Sequence, residues 1–352
     1  LVIWQELLGL KTIGVNESFF ALGGHSLLAI RLFNRIHQQF GKSLPLTMLF
    51  QAPSIRQLAR LIDQNQPTHD QPQDSILVPI QAATGNGLRP PLFCVHGFGG
   101  GVVGYGELAR LLGSEQPVYG LQALGHDGHN RPDESIEAMA SRYIQSMKLA
   151  QPKGPYHLGG YCYGGVVAFE MARQLEAQGE QVSFVGIFEG YAPIYSGGEA
   201  SLFRNPKLLS HWVRNIPYWL SDFMGLSRQQ MLTRLRRKVK RFWTNVADIF
   251  GVDVDLNPED IVDDTAELQS YQLELMKIHL HALREYDPGR LESAVTLFRI
   301  RSQALSRMTD STMGWHKLAA GVDVRMIEGS HNNILEQPHV QSLAKSLKDC
   351  LK

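Results

Sequence analysis

The chain has 352 residues, and its 34 Lys and Arg residues balance its 34 Asp and Glu residues. This length allows a large core plus an appended module, so we expect two domains. The zero net charge excludes a global field that would recruit nucleic acid or an anionic membrane, and we predict neither partner.

Cysteine content and hydropathy indicate the compartment. The 3 cysteines are widely spaced and odd in number, which suits neither a disulfide framework nor a zinc site, and no metal is expected. The sequence has neither a signal peptide nor an apolar run of about 18 residues. A reducing cytosol therefore fits best, and we expect a monomeric fragment of a longer polypeptide.

Residues 1–64 show short helical patterns. In SIRQLARLID, apolar residues recur at i, i+3, i+4 and i+7 from Ile55, and Ser54 can cap the helix. These patterns predict a small all-α bundle. The next stretch, DQNQPTHDQPQDS, has no apolar face and carries prolines, which predicts an extended linker over residues 65–76.

From residue 77 to 352, short apolar runs alternate with longer helical periods. This alternation predicts a mostly parallel sheet with helices on both faces. The expected strands are ILVPI, LFCV, PVYGLQ, YHLGG, VSFVGIF, AVTLFRI and VDVRMI. Residues from about 195 to 275 interrupt the alternation and are expected to form a helical lid. The basic run RLRRKVKRFW within them is interpreted as a solvated helix face, or alternatively as a docking surface for a phosphate-bearing partner.

The sequence LGGYCYGG, residues 158–165, has the form of a nucleophile elbow, a sharp turn between strand and helix that exposes a reactive side chain. Gly160 and Gly164 keep the positions two before and two after Cys162 small enough to avoid a clash. The segment before the turn is strand-like and the segment after it is helical. We therefore predict that Cys162 is a nucleophile, with its thiolate favoured by the helix N-terminus, rather than a buried core cysteine.

A nucleophile benefits from a base and from a group that orients the base, which α/β-hydrolases supply in the order nucleophile, acid, histidine. His331 lies in a Gly/Ser loop after the last predicted strand and is the predicted base, whereas His339 is expected to face solvent. Glu189 directly follows the strand VSFVGIF and is the predicted acid. Asp310, after the strand AVTLFRI, remains the alternative acid.

Two backbone N–H groups are expected to form an oxyanion hole. Tyr163, the residue after the predicted nucleophile, supplies one, and Phe98 in the loop CVHGFGGG supplies the other. His96 in the same loop is expected to shape the loop rather than to act as a second base. Cys94 lies within a strand and is predicted to be buried and inert.

The stretch FFALGGHSLLAIRLFNRI places Ser26 at the start of an amphipathic helix, where a serine can simply be an N-cap. Together with VIWQELLGL and SIRQLARLI, this stretch resembles the peptidyl carrier domains of non-ribosomal peptide synthetases over nearly the whole of residues 1–64. The resemblance implies that Ser26 carries a covalent 4′-phosphopantetheine arm. A phosphodiester is favoured at a helix N-terminus.

Residues from about 77 onward resemble a type I thioesterase, the releasing domain that follows the last carrier domain of such a synthetase. The matching segments are PLFCVHGFGG, VYGLQALG, GPYHLGGYCYGG, FEGYAP and EGSHNNIL. Two positions depart from the family pattern, because most such domains have serine in place of Cys162 and aspartate in place of Glu189. The cysteine is either natural or a replacement of serine.

The resemblance implies a terminal carrier–thioesterase module. The acyl chain on Ser26 would move to Cys162 and leave by closure of a ring, such as a strained lactone or lactam, by hydrolysis, or by transfer to an external amine or alcohol. The expected partners are upstream condensation and adenylation domains, a phosphopantetheinyl transferase and the acyl thioester substrate. Two alternatives stay open, namely a module that only holds acyl chains and an editing thioesterase.

Overall fold

The computed structural model of the chain describes most of both predicted domains, namely residues 1–24, 26–42, 44, 46–63, 76–83, 89–126, 128, 130–194, 270–300, 310–331 and 333–351. Nearly all of the predicted linker and most of the predicted lid, including its basic run, lie outside the described residues. Those two predictions and the proposed domain boundaries therefore stay predictions.

The N-terminal segment is helical, as predicted. Its helices are α1 (Val2–Leu8), α2 (Ser26–Phe40), α3 (Met48–Gln51) and α4 (Ile55–Asp63). Their apolar faces meet in one core, whose buried members include Trp4, Phe19, Leu32, Leu49 and Leu58. Ser54 directly precedes α4 and caps it, because its Oγ accepts a hydrogen bond from the Gln57 backbone N–H at 3.4 Å.

The second segment contains a seven-stranded sheet, which confirms the predicted α/β class. Its strands are β1 (Leu77–Gln81), β2 (Leu92–Val95), β3 (Val118–Leu121), β4 (Tyr156–Tyr161), β5 (Val182–Phe188), β6 (Leu291–Ile300) and β7 (Ala319–Ile327). The strand order is β1-β3-β2-β4-β5-β6-β7. Only β1 among them runs antiparallel to its neighbour. The seven predicted strands are therefore all present.

Helices cover both faces of the sheet, which explains why the inner strands β2, β4 and β5 are mostly apolar. The helices are α5 (Gly106–Leu112), α6 (Ile136–Ala150), α7 (Tyr163–Ala177), α8 (Ser270–Glu285) and α9 (Val340–Cys350). α6 and α7 contribute to one core cluster and α5 and α9 to the other. α8 begins inside the last residues of the predicted lid. No helix in the described part of the chain is both long and apolar enough to cross a membrane.

The two segments contact each other through an aromatic side chain. The ring of Phe20 lies so close to Gly106 that a Cβ at Gly106 would stand 2.9 Å from it. Phe20 also stacks on Phe50 with ring centroids 5.6 Å apart, and Val103 belongs to the same apolar cluster as the helical core. The helical bundle therefore packs against the start of α5 and against the short 3-10 helix Val103–Tyr105 before it.

Candidate active site

Cys162 occupies the sharp turn that the sequence predicts. β4 ends at Tyr161 and α7 begins at Tyr163, so a single residue joins strand to helix. Its backbone has φ 55° and ψ −113°, a conformation that side-chain-bearing residues rarely adopt. Its N–H donates to the Phe188 carbonyl at 3.1 Å and its carbonyl accepts from the Gly165 N–H at 3.0 Å. The half-buried side chain is held at the carboxyl edge of the sheet.

Glycine is required on both sides of this turn. A Cβ at Gly160 would collide with the carbonyl oxygen of Gly164. A Cβ at Gly164 would in turn collide with the carbonyl oxygens of Val95 and His96. The turn, the start of α7 and the end of β2 are packed backbone against backbone, which confirms the steric reason for the motif.

Glu189 lies beside the elbow at the end of the neighbouring strand. Phe188, the residue before it, pairs with Tyr161, the residue before Cys162. The Glu189 side chain is only 3% exposed, and its Oε2 accepts the Ile300 N–H at 2.8 Å. A carboxylate is therefore fixed one strand away from the proposed nucleophile.

His331 is held against the elbow through Tyr161. The Tyr161 hydroxyl donates to the His331 carbonyl, and the two rings lie 5.2 Å apart. The pKa of Tyr161 is raised well above its usual value, first by burial and then by the negative charges available at Cys162 and Glu189. One tyrosine thus neighbours all three residues of the predicted triad.

The alternative acid, Asp310, is engaged elsewhere. Its Oδ1 accepts from the N–H and hydroxyl of Thr312, and its Oδ2 accepts from the Gly314 N–H at 2.6 Å. His316 lies 3.4 Å from the same carboxylate. Burial would raise the Asp310 pKa, but these hydrogen bonds and His316 outweigh it and lower the pKa. Asp310 therefore stabilises the turn after β6.

The two residues proposed as oxyanion donors are in contact through their side chains. Tyr163 is the first residue of α7, so its N–H has no partner within the helix. Phe98 lies in a turn closed by a hydrogen bond from the Gly100 N–H to the Gly97 carbonyl at 3.0 Å. The rings of Phe98 and Tyr163 meet edge to face, with centroids 5.7 Å apart.

His96 has the contacts of a loop-shaping residue. It is fully buried, with Nδ1 2.7 Å from the Gly97 carbonyl and Nε2 2.6 Å from the Tyr143 hydroxyl. Its pKa is lowered well below the usual value, mainly by burial and then by His279. Cys94 is also fully buried, and burial raises the pKa of its thiol.

His279 was not predicted from the sequence as part of the site. His279 on α8 is fully buried beside the loop of Phe98 and the start of α7. The available signal was weak, since a histidine on the buried stripe of Leu275 and Ala282 looks like an ordinary core position. His339 directly precedes α9, as predicted, and is half-buried against Gly329, so it faces solvent only in part.

The backbone around Ser26 suits a phosphodiester. Ser26 begins α2, and no acidic residue lies in the first turn of that helix. The chain before it bends at Gly23, where φ is 89°, and packs Gly24 so tightly on Phe19 that no side chain would fit. The free N–H groups of the helix start therefore meet no competing negative charge in that first turn.

Comparison with protein families places both segments. Residues 1–62 match the family model described as phosphopantetheine attachment site, and residues 90–351 match the thioesterase domain. The chain belongs to the thioesterase domain family, as found in non-ribosomal peptide synthetases, and carries a carrier domain for covalent 4′-phosphopantetheine.

Two synthetases illustrate the relationship. Indigoidine synthase of Dickeya dadantii (strain 3937) is 40% identical over 263 residues, which are 73% of this chain and 17% of that protein. Chondramide synthase of Chondromyces crocatus is 29% identical over 354 residues, which cover 98% of this chain and 9% of that protein. The chain thus spans a small share of the relatives it matches.

Solved structures agree with the fold. A four-domain non-ribosomal peptide synthetase bound to AMP and glycine aligns with 99% of this chain, at 26% identity and a TM-score of 0.56, over 25% of its own length. The thioesterase RedJ aligns with 74% of this chain and 93% of its own, at 20% identity and a TM-score of 0.50. The second segment is an α/β-hydrolase domain.

Proposed function

We propose that the chain is the carrier–thioesterase pair that ends assembly on a non-ribosomal peptide synthetase and releases the product through Cys162. The observation that supports this most directly is the backbone of Cys162, bent to φ 55° between β4 and α7 at the sheet edge, next to the strand that ends before Glu189.

Ser26 is proposed as the attachment residue. The phosphopantetheine arm supplies a flexible thiol that presents the acyl group as a thioester. The residues of this chain provide a helix N-terminus for the phosphodiester and a glycine-shaped turn before it. Upstream condensation and adenylation domains and a phosphopantetheinyl transferase are the proposed partners.

In the first half-reaction, the Cys162 thiolate adds to the carbonyl carbon of the acyl thioester. The negative charge on the carbonyl oxygen is stabilised by the N–H groups of Phe98 and Tyr163. The carbon–sulfur bond to the departing thiolate then breaks, and that thiolate takes from His331 the proton that His331 removed from the Cys162 thiol. Cys162 is left as an acyl thioester.

In the second half-reaction, His331 removes a proton from an attacking hydroxyl or amine. Glu189 orients the imidazole and stabilises its positive charge. The nucleophile adds to the acyl carbon, and Cys162 leaves as a thiolate. Water as the nucleophile gives hydrolysis, and a hydroxyl or amine within the bound acyl chain gives a ring.

We favour ring closure. Exchange of one thioester for another loses little activation, whereas an ester on serine would be a poorer acyl donor. A cysteine therefore retains the reactivity needed for a strained lactone or lactam. Hydrolysis and transfer to an external amine or alcohol are the competing outcomes of the same intermediate.

Intact-protein and peptide mass spectrometry tests this proposal. The pantetheinylated chain is loaded with an acyl group that has no internal nucleophile. We expect the acyl mass to move from the Ser26 peptide to the Cys162 peptide, and to stay on Ser26 in Cys162→Ala. Cys350→Ser is the matched control, because Cys350 is also half-buried but lies on α9.

A second acyl group with an internal hydroxyl separates the outcomes. Ring closure and hydrolysis give products that differ by one water. A chain that only holds acyl groups would show no transfer to Cys162, and that result would contradict the proposed function.

A further inference from the structure

The buried imidazole of His279 contacts both residues that are proposed to form the oxyanion hole. His279 on α8 is fully buried, and its Nδ1 lies 2.8 Å from the carbonyl oxygen of Phe98. Its ring also stacks on Tyr163, with centroids 4.8 Å apart and planes inclined by 19°. Phe98 and Tyr163 are the two residues proposed to donate N–H groups to the oxyanion.

The contact with Phe98 fixes the tautomer of His279. A carbonyl oxygen only accepts, so Nδ1 carries the proton and Nε2 holds a lone pair. Nε2 is buried and has no hydrogen-bond partner within the described residues. Burial lowers the pKa of His279 to about 4, with a smaller contribution from His126, so the ring is neutral near pH 7.

The Phe98 carbonyl belongs to the middle peptide of a four-residue turn. The turn from Gly97 to Gly100 is closed at its ends by a backbone hydrogen bond of 3.0 Å. That bond leaves the orientation of the middle peptide undetermined, because the main turn types differ by a flip of this peptide. The His279 Nδ1–H fixes this middle peptide. The Phe98 N–H belongs to the preceding peptide, so His279 acts on it by holding the position of the turn as a whole.

We propose that His279 is a positioning residue that sets the separation of the two oxyanion donors, by holding the Phe98 turn through its Nδ1–H and the start of α7 through its stack on Tyr163. This inference rests on the proposed function. An oxyanion hole acts only when its donors lie within about 3 Å of the developing charge, so a small displacement of either side reduces the rate.

The amide side chains provide a matched test. The amide nitrogen of asparagine lies as many bonds from Cα as Nδ1 of histidine, whereas that of glutamine corresponds to Nε2. The kinetics of Cys162 acylation are measured with an acyl N-acetylcysteamine thioester for the parent and three variants, His279→Asn, His279→Gln and His279→Leu. His281→Asn is the control, because His281 is exposed on the same helix.

We expect kcat to fall about tenfold or more in the Gln and Leu variants, with KM within about threefold of the parent. The Asn variant should recover most of the loss. Alkylation of Cys162 by iodoacetamide serves as the second readout, because this displacement forms no oxyanion. Its rate should match the parent in all three variants.

Several results would overturn the role of His279. They are an Asn variant no faster than Gln and Leu, parental acylation rates in every variant, or alkylation rates that fall in parallel with kcat. A parent that never acylates Cys162 contradicts the proposed function itself. An active parent with unaffected variants contradicts only the positioning role, so the two failures are distinguishable.

Discussion

Cys162 and Glu189 both have a positive φ of 55° at the ends of neighbouring parallel strands. Each follows one member of the register pair Tyr161 and Phe188. A side chain at such a φ costs about 1 kcal/mol or more, and it persists only where the surroundings hold it. The backbone at the two proposed catalytic residues that follow β4 and β5 is therefore strained, and this strain lowers stability while it orients their side chains.

Glycine should relieve this strain at the nucleophile. We expect Cys162→Gly to be more stable to urea than Cys162→Ala by about 1 kcal/mol, because only the alanine keeps a Cβ at positive φ. Neither variant should accept an acyl group. Ala172→Gly within α7 is the control of opposite sign, since glycine in a helix costs roughly 1 kcal/mol. Equal stability of the two Cys162 variants would show that the turn is not strained.

The acid assignment predicts opposite behaviour for two carboxylates. Glu189→Gln should slow release of the Cys162-bound acyl group by roughly 100-fold to 10,000-fold, because an amide cannot stabilise the charged imidazole of His331. Asp310→Asn should leave release within about threefold and lower stability instead, since Asp310 accepts from Thr312 and Gly314. Single-turnover release and thermal unfolding together measure the two effects. If Asp310→Asn slowed release and Glu189→Gln lowered only stability, the acid would be Asp310.

The local parts of this site were predictable from sequence. The elbow needs two glycines at fixed spacing around Cys162, and a strand followed by a helix, all within a few residues of one another. Glu189 was predictable because it directly follows an apolar run, and parallel strands bring their carboxyl ends to one edge. Short-range sterics and strand order therefore determine most of the proposed triad.

The long-range contacts were not predictable. His279 reaches Phe98 across 181 positions of the chain, and its role depends on which side of α8 meets the loop. The hydrogen bond from the Ile300 N–H to Glu189 spans 111 positions of the chain. This contact separates Glu189 from the alternative acid Asp310, and it is visible only in the folded structure. Such contacts are set by packing of whole elements, which periodicity within one segment does not specify.

Buried neutral imidazoles should make the protein acid-labile. Burial lowers the pKa of His96, His157 and His279, the last to about 4. The unfolded chain then binds more protons below pH 6.5, so the free energy of unfolding falls as the pH falls from there. His279 alone should contribute a loss of roughly 1 kcal/mol between pH 6.5 and 5.5.

Urea unfolding of the parent and His279→Asn at several pH values measures this contribution. Below pH 6.5, the free energy of unfolding should fall more steeply with falling pH in the parent than in His279→Asn. Above about pH 7.5 the two slopes should be equal, because the unfolded chain also holds a neutral imidazole there. His281→Asn should follow the parent. Parallel pH profiles for the parent and His279→Asn would contradict the buried neutral state.

The contact between Phe20 and Gly106 predicts that Gly106→Ala stabilises helix α5 locally but destabilises the packing of the carrier domain against it. Gly106 begins α5 with φ −58°, so alanine there should favour the helix by up to about 1 kcal/mol. The new Cβ would stand 2.9 Å from the Phe20 ring, which must move. Gly106→Ala should therefore loosen the carrier domain while leaving the sheet intact.

Hydrogen exchange and a double-mutant cycle test this opposition. Gly106→Ala should speed exchange around Phe20 in the carrier domain, whereas amides in β4 and β5 should stay protected. Once Phe20→Ala removes the ring, Gly106→Ala should cost nothing more, which gives a coupling energy of about 0.5 to 3 kcal/mol. Additive effects would mean that the two residues do not touch in solution, and that the carrier domain does not rest on α5.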